Sequence, residues 1–400
     1  MSDTAPTSGG LRTVIVCMFA NNFTLGLMYG TFGALLSSNE QAFGVARDTI
    51  SFGMSALTTT MGLSALVMGN LVRRLTPRIA IMIGTLTAAT AFVGLGMATS
   101  LTMALVMWAL LGFSIAMVAL LGPVAIAAEF FPEKSGKFLA MVNMPIVLFL
   151  SPWLVTAILP TVGRDGAYFL MAAILLPVAA LVLLVLPRGA PRVQAGHHAQ
   201  SDKPAAAILG RTDFWLISLG IAVIASTGTA FTVHAIPYAQ SEGLSVPASA
   251  LMFSVYMGAG LAGVPLFGWL ADRIGAPRTL ALSGLIQCLC WAGLALLPAI
   301  AFVPIAGILG AATTPLTTLH GTAMAQIFKA DGVGKAMGYS FAIKLPFLFI
   351  APPAVGYAYV QLADYRPALL AVAVSLVFAV VLLMAGGNLG RRMAMRTAAA

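Results

Sequence analysis

Position 344 is a lysine inside a long apolar stretch, and its charge is the chemical feature that most needs an explanation. Counted from Lys335 at about 1.5 Å of helix per residue, Lys344 lies roughly 13 Å along, near the middle of a hydrocarbon core about 30 Å thick. An ammonium at that depth costs about 2.5 to 3.5 kcal/mol and snorkels with difficulty, so something must compensate. The twelve acids, Asp3, Glu40, Asp48, Glu129, Glu133, Asp165, Asp202, Asp213, Glu242, Asp272, Asp331 and Asp364, all fall in loops, tails or helix ends. No acid stands mid-membrane to pair with Lys344. An anionic substrate in a wet cavity is the natural missing partner. The competing reading is a lysine that reaches water or backbone carbonyls, or is held neutral, and binds nothing.

Two histidines also fall in apolar stretches, His234 and His320, and either could hydrogen-bond a substrate or titrate. A buried packing role competes with both. Asn21, Asn22, Tyr29, Asn143, Tyr256 and Gln287 complete the polar set. Aligning Pro145 with Pro346 places Asn143 opposite Lys344 across an internal two-fold relationship, with a plain helix-helix hydrogen bond as its alternative. Other patterns carry no chemistry. Gly258-Ala-Gly-Leu-Ala-Gly263 has dinucleotide-loop spacing but follows no strand, and close helix packing explains it, as it explains Gly26 and Gly30. Gly334-Lys335 lacks the remainder of a nucleotide-binding loop, and no zinc-protease helix or nucleophile elbow is present. Cys17, Cys288 and Cys290 form no metal spacing or disulfide framework. No cofactor or metal site is expected.

The elements that must position these groups are membrane spans. Of the 400 residues 60% are hydrophobic and only 8% charged, against about 25% in soluble domains. Apolar runs fall near 12–36, 48–70, 79–98, 101–128, 138–160 and 166–187, then near 213–236, 247–270, 279–298, 301–326, 335–360 and 366–388. Each can cross a bilayer, and the many Gly and Pro inside them are tolerated there. The first run has no cleavage site after it and is expected to be retained as an anchor. The one long hydrophilic stretch, 188–212, reads as a linker between bundles 1–187 and 213–400. The +9 net charge would suggest nucleic acid in a soluble chain, but here the basic residues flank the spans. With a cytoplasmic N-terminus, 17 Lys and Arg fall on the cytoplasmic side and only Arg47, Arg164 and Arg366 on the other, leaving Lys344 of the 21. That asymmetry predicts both termini inside and an even number of spans.

The halves echo each other. Gly69-Asn-Leu-Val-Arg-Arg-Leu-Thr-Pro-Arg78 is matched about 200 residues later by Gly268-Trp-Leu-Ala-Asp-Arg-Ile-Gly-Ala-Pro-Arg278, and Gly136-Lys137 by Gly334-Lys335. The second copy resembles the loop signature of the major facilitator superfamily, Gly-x-Leu-x-Asp-Arg-x-Gly with following basic residues. In the first copy Arg73 stands where the family has Asp. The resemblance implies that Gly268, Asp272, Arg273 and Arg278 belong to a cytoplasmic gate, and that spans 1, 4, 7 and 10 line a central cavity. Tyr29-Gly-Thr-Phe-Gly33, Phe231-Thr-Val-His-Ala-Ile-Pro237, Glu242-Gly-Leu-Ser245 and Lys344 together are similar to the monocarboxylate and oxalate:formate branch. In the oxalate carriers a second basic residue, in span 8, faces the other carboxylate. Residues 247–270 contain none, which favours an anion with one carboxylate.

The expectation is therefore an all-α membrane protein of about twelve spans in two pseudo-symmetric six-helix bundles, in the inner (plasma) membrane and working as a monomer. It would carry a small organic anion by alternating access, with proton symport or anion exchange both open. Lys344, His234, Asn143, Tyr29, Asn22, Tyr256 and His320 are the candidate substrate contacts. An exporter of amphipathic or drug-like compounds is the first alternative, weakened by the lack of a cavity acid. A non-transporting sensor is the second, weakened by the lack of an added soluble domain.

Overall fold

The computed structural model describes residues 8–71, 76–123, 126, 135–186, 204–328 and 332–399, and among them it is helical with no strand. Arg73 and Arg74 of the first signature copy, and residues 188–203 of the expected linker, lie outside the described residues. In chain order come α1 (Ser8–Thr31), α2 (Leu36–Phe43), α3 (Arg47–Leu71), α4 (Pro77–Gly96) and α5 (Leu101–Ile115), which runs on as a π-helical segment Ala116–Leu121. Then follow α6 (Ser135–Val142), α7 (Ile146–Val185), α8 (Ala205–Leu209), α9 (Thr212–Ser241), α10 (Val246–Gly258), α11 (Gly260–Ile274) and α12 (Ala276–Leu296). The last four are α13 (Phe302–Thr313), α14 (Leu316–Phe328), α15 (Val333–Leu362) and α16 (Arg366–Ala399).

Several starts are written in the sequence. Thr76, Ser100 and Ser245 each accept a hydrogen bond from the backbone N–H three residues on, and Pro77 and Pro247 occupy first-turn positions where no N–H is needed. Ten described segments are long and apolar enough to cross a membrane. One of them, α7, is 40 residues long and turns at Gly163, whose φ of 68° and ψ of −179° favour glycine, just after Pro160. It holds two of the sequence spans, and the 25-residue α3 supplies another, so the twelve expected spans are all represented.

Three spans read as continuous are interrupted. The fifth breaks at Asn143–Pro145, the eighth at Ala259 and the tenth at Thr314–Pro315. At the last, Pro315 cannot donate to Ala311, and the released carbonyl packs onto Gly263 of α11, where no side chain would fit. Pro346, Pro352 and Pro353 leave α15 unbroken. Phe349, which Pro353 deprives of its donor, accepts a hydrogen bond from Ser55 Oγ at 2.5 Å.

Contacts group the described residues into two compact units, one within Met1–Gly44 and Ala56–His197, the other within Val45–Ser55 and His198–Ala400. In the first, Gly26 and Gly30 of α1 lie against Val147, Leu148 and Ser151 of α7, and Ser151 Oγ donates to Gly26 O at 2.8 Å. Ser114 Oγ of α5 donates to Gly84 O of α4 at 2.7 Å. In the second, the equivalent helices are tied by Ser283 Oγ of α12 donating to Ala312 O of α13 at 2.8 Å. The outward faces carry exposed Leu184, Ile300 and Phe378, as expected of surfaces solvated by lipid.

Candidate functional site

Lys344 sits in the middle of α15, half-buried, and its Nζ lies 3.8 Å from the centroid of the Phe341 ring, one turn earlier. No carboxylate pairs with it among the described residues. The quadrupole of the ring stabilises the ammonium without neutralising it, which leaves the charge open to an anion. The Phe341 ring also packs against His320 of α14, centroids 5.3 Å apart, and His320 Nε2 lies 2.8 Å from Ser340 Oγ. His320 and Lys344, chosen separately from the sequence, are thus brought together around Phe341, which sequence reasoning passed over.

His234 is elsewhere. Its Nε2 lies 2.8 Å from the carbonyl of Pro352, about two turns of α15 beyond Lys344, and its Nδ1 lies 3.2 Å from the Tyr365 hydroxyl. A carbonyl only accepts, so Nε2 carries the hydrogen and Nδ1 accepts from Tyr365. Both nitrogens are engaged and the residue is buried. Tyr256 is likewise packed: its ring centroid is 4.4 Å from that of Phe231, which meets Trp291 edge-on at 5.5 Å.

In the first unit the polar candidates converge on the break in the fifth span. Asn22 of α1 bridges it, donating through Nδ2 to Val142 O at 3.2 Å and accepting at Oδ1 from the N–H groups of Ile146 (3.0 Å) and Val147 (3.3 Å). It thereby caps the end of α6 and the start of α7 at once, the role Pro145 cannot fill. Asn21 adds donors to Val142 O and Asn143 Oδ1, each at 3.0 Å, and Asn143 donates to Leu139 O at 2.9 Å. The bridging was not legible, because Asn-x-x patterns do not say which broken backbone they serve. Tyr29 stands two turns further along α1, its hydroxyl 3.8 Å from Met61 Sδ. An apolar cavity of about 300 Å³ opens between α1 and α7 beside Asn22, lined by Phe19, Phe23, Ile146 and Leu150 among others.

The signature loop joins α11 to α12. Gly275 takes a φ of 87°, which accounts for the glycine of the motif, and Ala276 N–H donates to Gln326 Oε1 of α14 at 3.1 Å. Gln326 is a support for this loop that the motif does not announce. Asp272 and Arg278 are exposed, Arg273 lies 4.1 Å over the Trp269 ring, and Gly268 has no neighbour where a side chain would project. At the same end, buried Asp213 accepts from Arg211 at 2.6 Å and from its own neighbour's N–H, Phe214, at 3.0 Å.

A family model described as Major Facilitator Superfamily matches residues 18–319 and 218–389. No curated protein matches the chain. Among solved structures, a variant of the nucleoside transporter NupG superposes with a TM-score of 0.77 at 12% identity, covering 93% of this chain and 99% of its own. A bacterial homologue of the human lysosomal transporter Spinster matches in an inward-facing unoccupied form, with a TM-score of 0.70, 14% identity and 96% and 97% coverage. Its occupied form gives 0.69, 16% and 98% of both chains. At these identities the likeness is one of fold.

Proposed function

This chain belongs to the Major Facilitator Superfamily, and from that premise we propose that it carries a small organic anion, most simply a monocarboxylate, with Lys344 as the binding cation. The observation that carries the reading is the ammonium of Lys344, mid-span, resting on Phe341 with no carboxylate beside it among the described residues. A carboxylate docking there gains a charge-assisted hydrogen bond in a medium of low dielectric, while its apolar remainder meets Phe341. One fixed cation suits one carboxylate better than two. The similarity to the monocarboxylate and oxalate:formate branch points the same way.

In this reading, bundles 1–187 and 213–400, joined through 188–212, alternate access to the site while both termini stay in the cytoplasm of a cell whose inner membrane holds a monomer. Asp272, Arg273, Gly268 and Arg278 serve the cytoplasmic gate. The apolar cavity beside Asn22 supports a second reading, an exporter of amphipathic compounds, in which the first unit supplies the binding surface.

Purified protein in proteoliposomes, offered labelled monocarboxylates, dicarboxylates, a nucleoside and a lipophilic cation, decides between them. Saturable uptake of a monocarboxylate that Lys344→Ala abolishes supports the first reading. Transport of the lipophilic cation or the nucleoside, indifferent to Lys344, rejects it.

A further inference from the structure

The turn of α7 closes one end of the apolar cavity beside Asn22. The limbs of α7 on either side of Gly163 both line that cavity, Leu154 and Ile158 from the first, Ala167 and Leu170 from the second, with Leu27 and Thr31 of α1 between them. A helix that faces one cavity from both limbs lays its turn across the end of it. The turn lines a second pocket, of about 510 Å³, where Val162, Gly163, Arg164 and Asp165 meet Ser38 and Gln41 of α2, the helix that follows α1. Along both stretches of chain the wall therefore passes from apolar to polar. The apolar part opens sideways, since Leu150, Leu154, Leu170 and Ile174 on its rim are exposed, and in a span such side chains face hydrocarbon.

The polar part is built around a fixed guanidinium. Arg164 Nε donates to Asn39 Oδ1 at 2.9 Å, and Nη2 donates to Leu95 O at 2.8 Å and to Ala98 O at 3.4 Å. The group lies 4.6 Å over the Phe43 ring, and Nη1 donates to Asp165 Oδ1 at 2.6 Å. A guanidinium has five N–H donors, so these four bonds leave one Nη1 hydrogen uncommitted. Asp165 meets Arg164 through Oδ1 and is otherwise exposed, while Ser38 and Gln41 add a hydroxyl and an amide to the same pocket.

Arg164 and Asp165 cancel in net charge but present one positive and one negative group side by side. Such a pair complements a head group that carries both signs better than one that is only negative. A zwitterion from solution would use the polar pocket alone. The apolar cavity below it and the sideways opening point to a molecule that arrives from the bilayer.

We propose that the two pockets together hold one bilayer phospholipid with a zwitterionic head. Its phosphate meets Arg164, Ser38 and Gln41, its ammonium meets Asp165, and one acyl chain occupies the cavity between α1 and α7. The inference is independent of what Lys344, in the other unit, binds.

The test uses the full chain, stripped of lipid in detergent and titrated with dioleoyl phosphatidylethanolamine or dioleoyl phosphatidylglycerol, with bound lipid counted by native mass spectrometry. Wild type should retain one ethanolamine lipid at least about threefold more fully than the glycerol lipid. Leu154→Trp, which fills the cavity from its exposed rim, should lower retention of both by about threefold or more. Asp165→Asn, at an exposed position, leaves Arg164 uncompensated and should reverse the head-group preference. It carries the test alone if Leu154→Trp does not fold. Glycerophosphoethanolamine, the head group without chains, should fail to compete at about tenfold excess, because most of the contact is made by the chain. Equal retention of the two lipids by wild type, a preference unchanged in Asp165→Asn, full retention by folded Leu154→Trp, or competition by the chainless head group overturns the proposal.

Discussion

Lys344 and Phe341 share a face of α15, with the ammonium 3.8 Å from the centre of the ring. A cation–π contact of this kind is worth about 0.5 to 2 kcal/mol, which offsets part of the roughly 2.5 to 3.5 kcal/mol insertion cost of a lysine, and it does not use up the charge. The helix can therefore carry a mid-membrane cation that remains available.

Lys344→Ala, and also Lys344→Gln, should abolish transport while leaving insertion and thermal stability at or above wild type, because the variants remove an expensive group. Lys344→Arg should retain weak activity, since charge persists but its geometry differs. Phe341→Leu should raise KM by about tenfold, and Phe341→Trp should restore it, because only a π face holds the ammonium in place. Initial rates at matched expression check this, and wild-type transport by Lys344→Ala would sink the anion-binding role.

Asn22 is a stability residue as much as a site residue. Asn22→Ala leaves the carbonyl of Val142 with one donor fewer, removes the Asn22 acceptor from the N–H of Val147, and leaves the N–H of Ile146 with Met144 O alone. The cost should be about 1 to 2 kcal/mol, seen as a lowered unfolding midpoint in detergent. Asn143→Ala keeps the bridge intact and should cost less. Equal losses in the two variants would show that Asn22 does not act by joining α6 to α7.

Asp272→Asn should slow turnover far more than it weakens binding, because Asp272 is an exposed residue near the end of α11, at the α11–α12 turn, rather than a mid-span group. Gln326→Leu should behave in the same direction, since it removes the acceptor for Ala276 N–H that steadies this turn. Substrate affinity measured beside maximal rate decides the point. A large loss of affinity at normal maximal rate contradicts the gate assignment.

Spans, signature and the isolated charge of Lys344 were legible because each is a local property of the chain: hydropathy, a glycine-aspartate-arginine loop, a basic residue among apolar ones. The interruptions were not. Pro145 and Pro315 stand where their helices break while Pro346 does not, and the residues around each proline give no local sign of which will happen. Partnerships across helices were equally hidden. His234 could be picked out as a titratable group, but nothing local tells that Tyr365, 131 residues away, accepts from Arg47 and donates to it.

Coupling is the last question, and rate must be separated from accumulation to answer it. A proton that only speeds turnover accelerates entry from an acidic exterior without setting the final gradient. A proton carried with a monoanion as a neutral pair, at Lys344 or through His320 beside it, drives about tenfold accumulation for each unit of pH difference. We expect initial uptake of a monocarboxylate to rise as external pH falls, and His234→Gln to flatten that rise more than His320→Gln does. Steady-state accumulation under an imposed pH gradient should survive in His234→Gln, since His234 meets α15 at Pro352, about two turns from Lys344, and should fall in a variant that removes the carried proton. Membrane potential and a trapped unlabelled anion are imposed separately as controls. Uptake that ignores the pH gradient yet is strongly stimulated by the trapped anion would establish exchange, leaving Lys344 as the binding cation and removing His234 from the coupling mechanism.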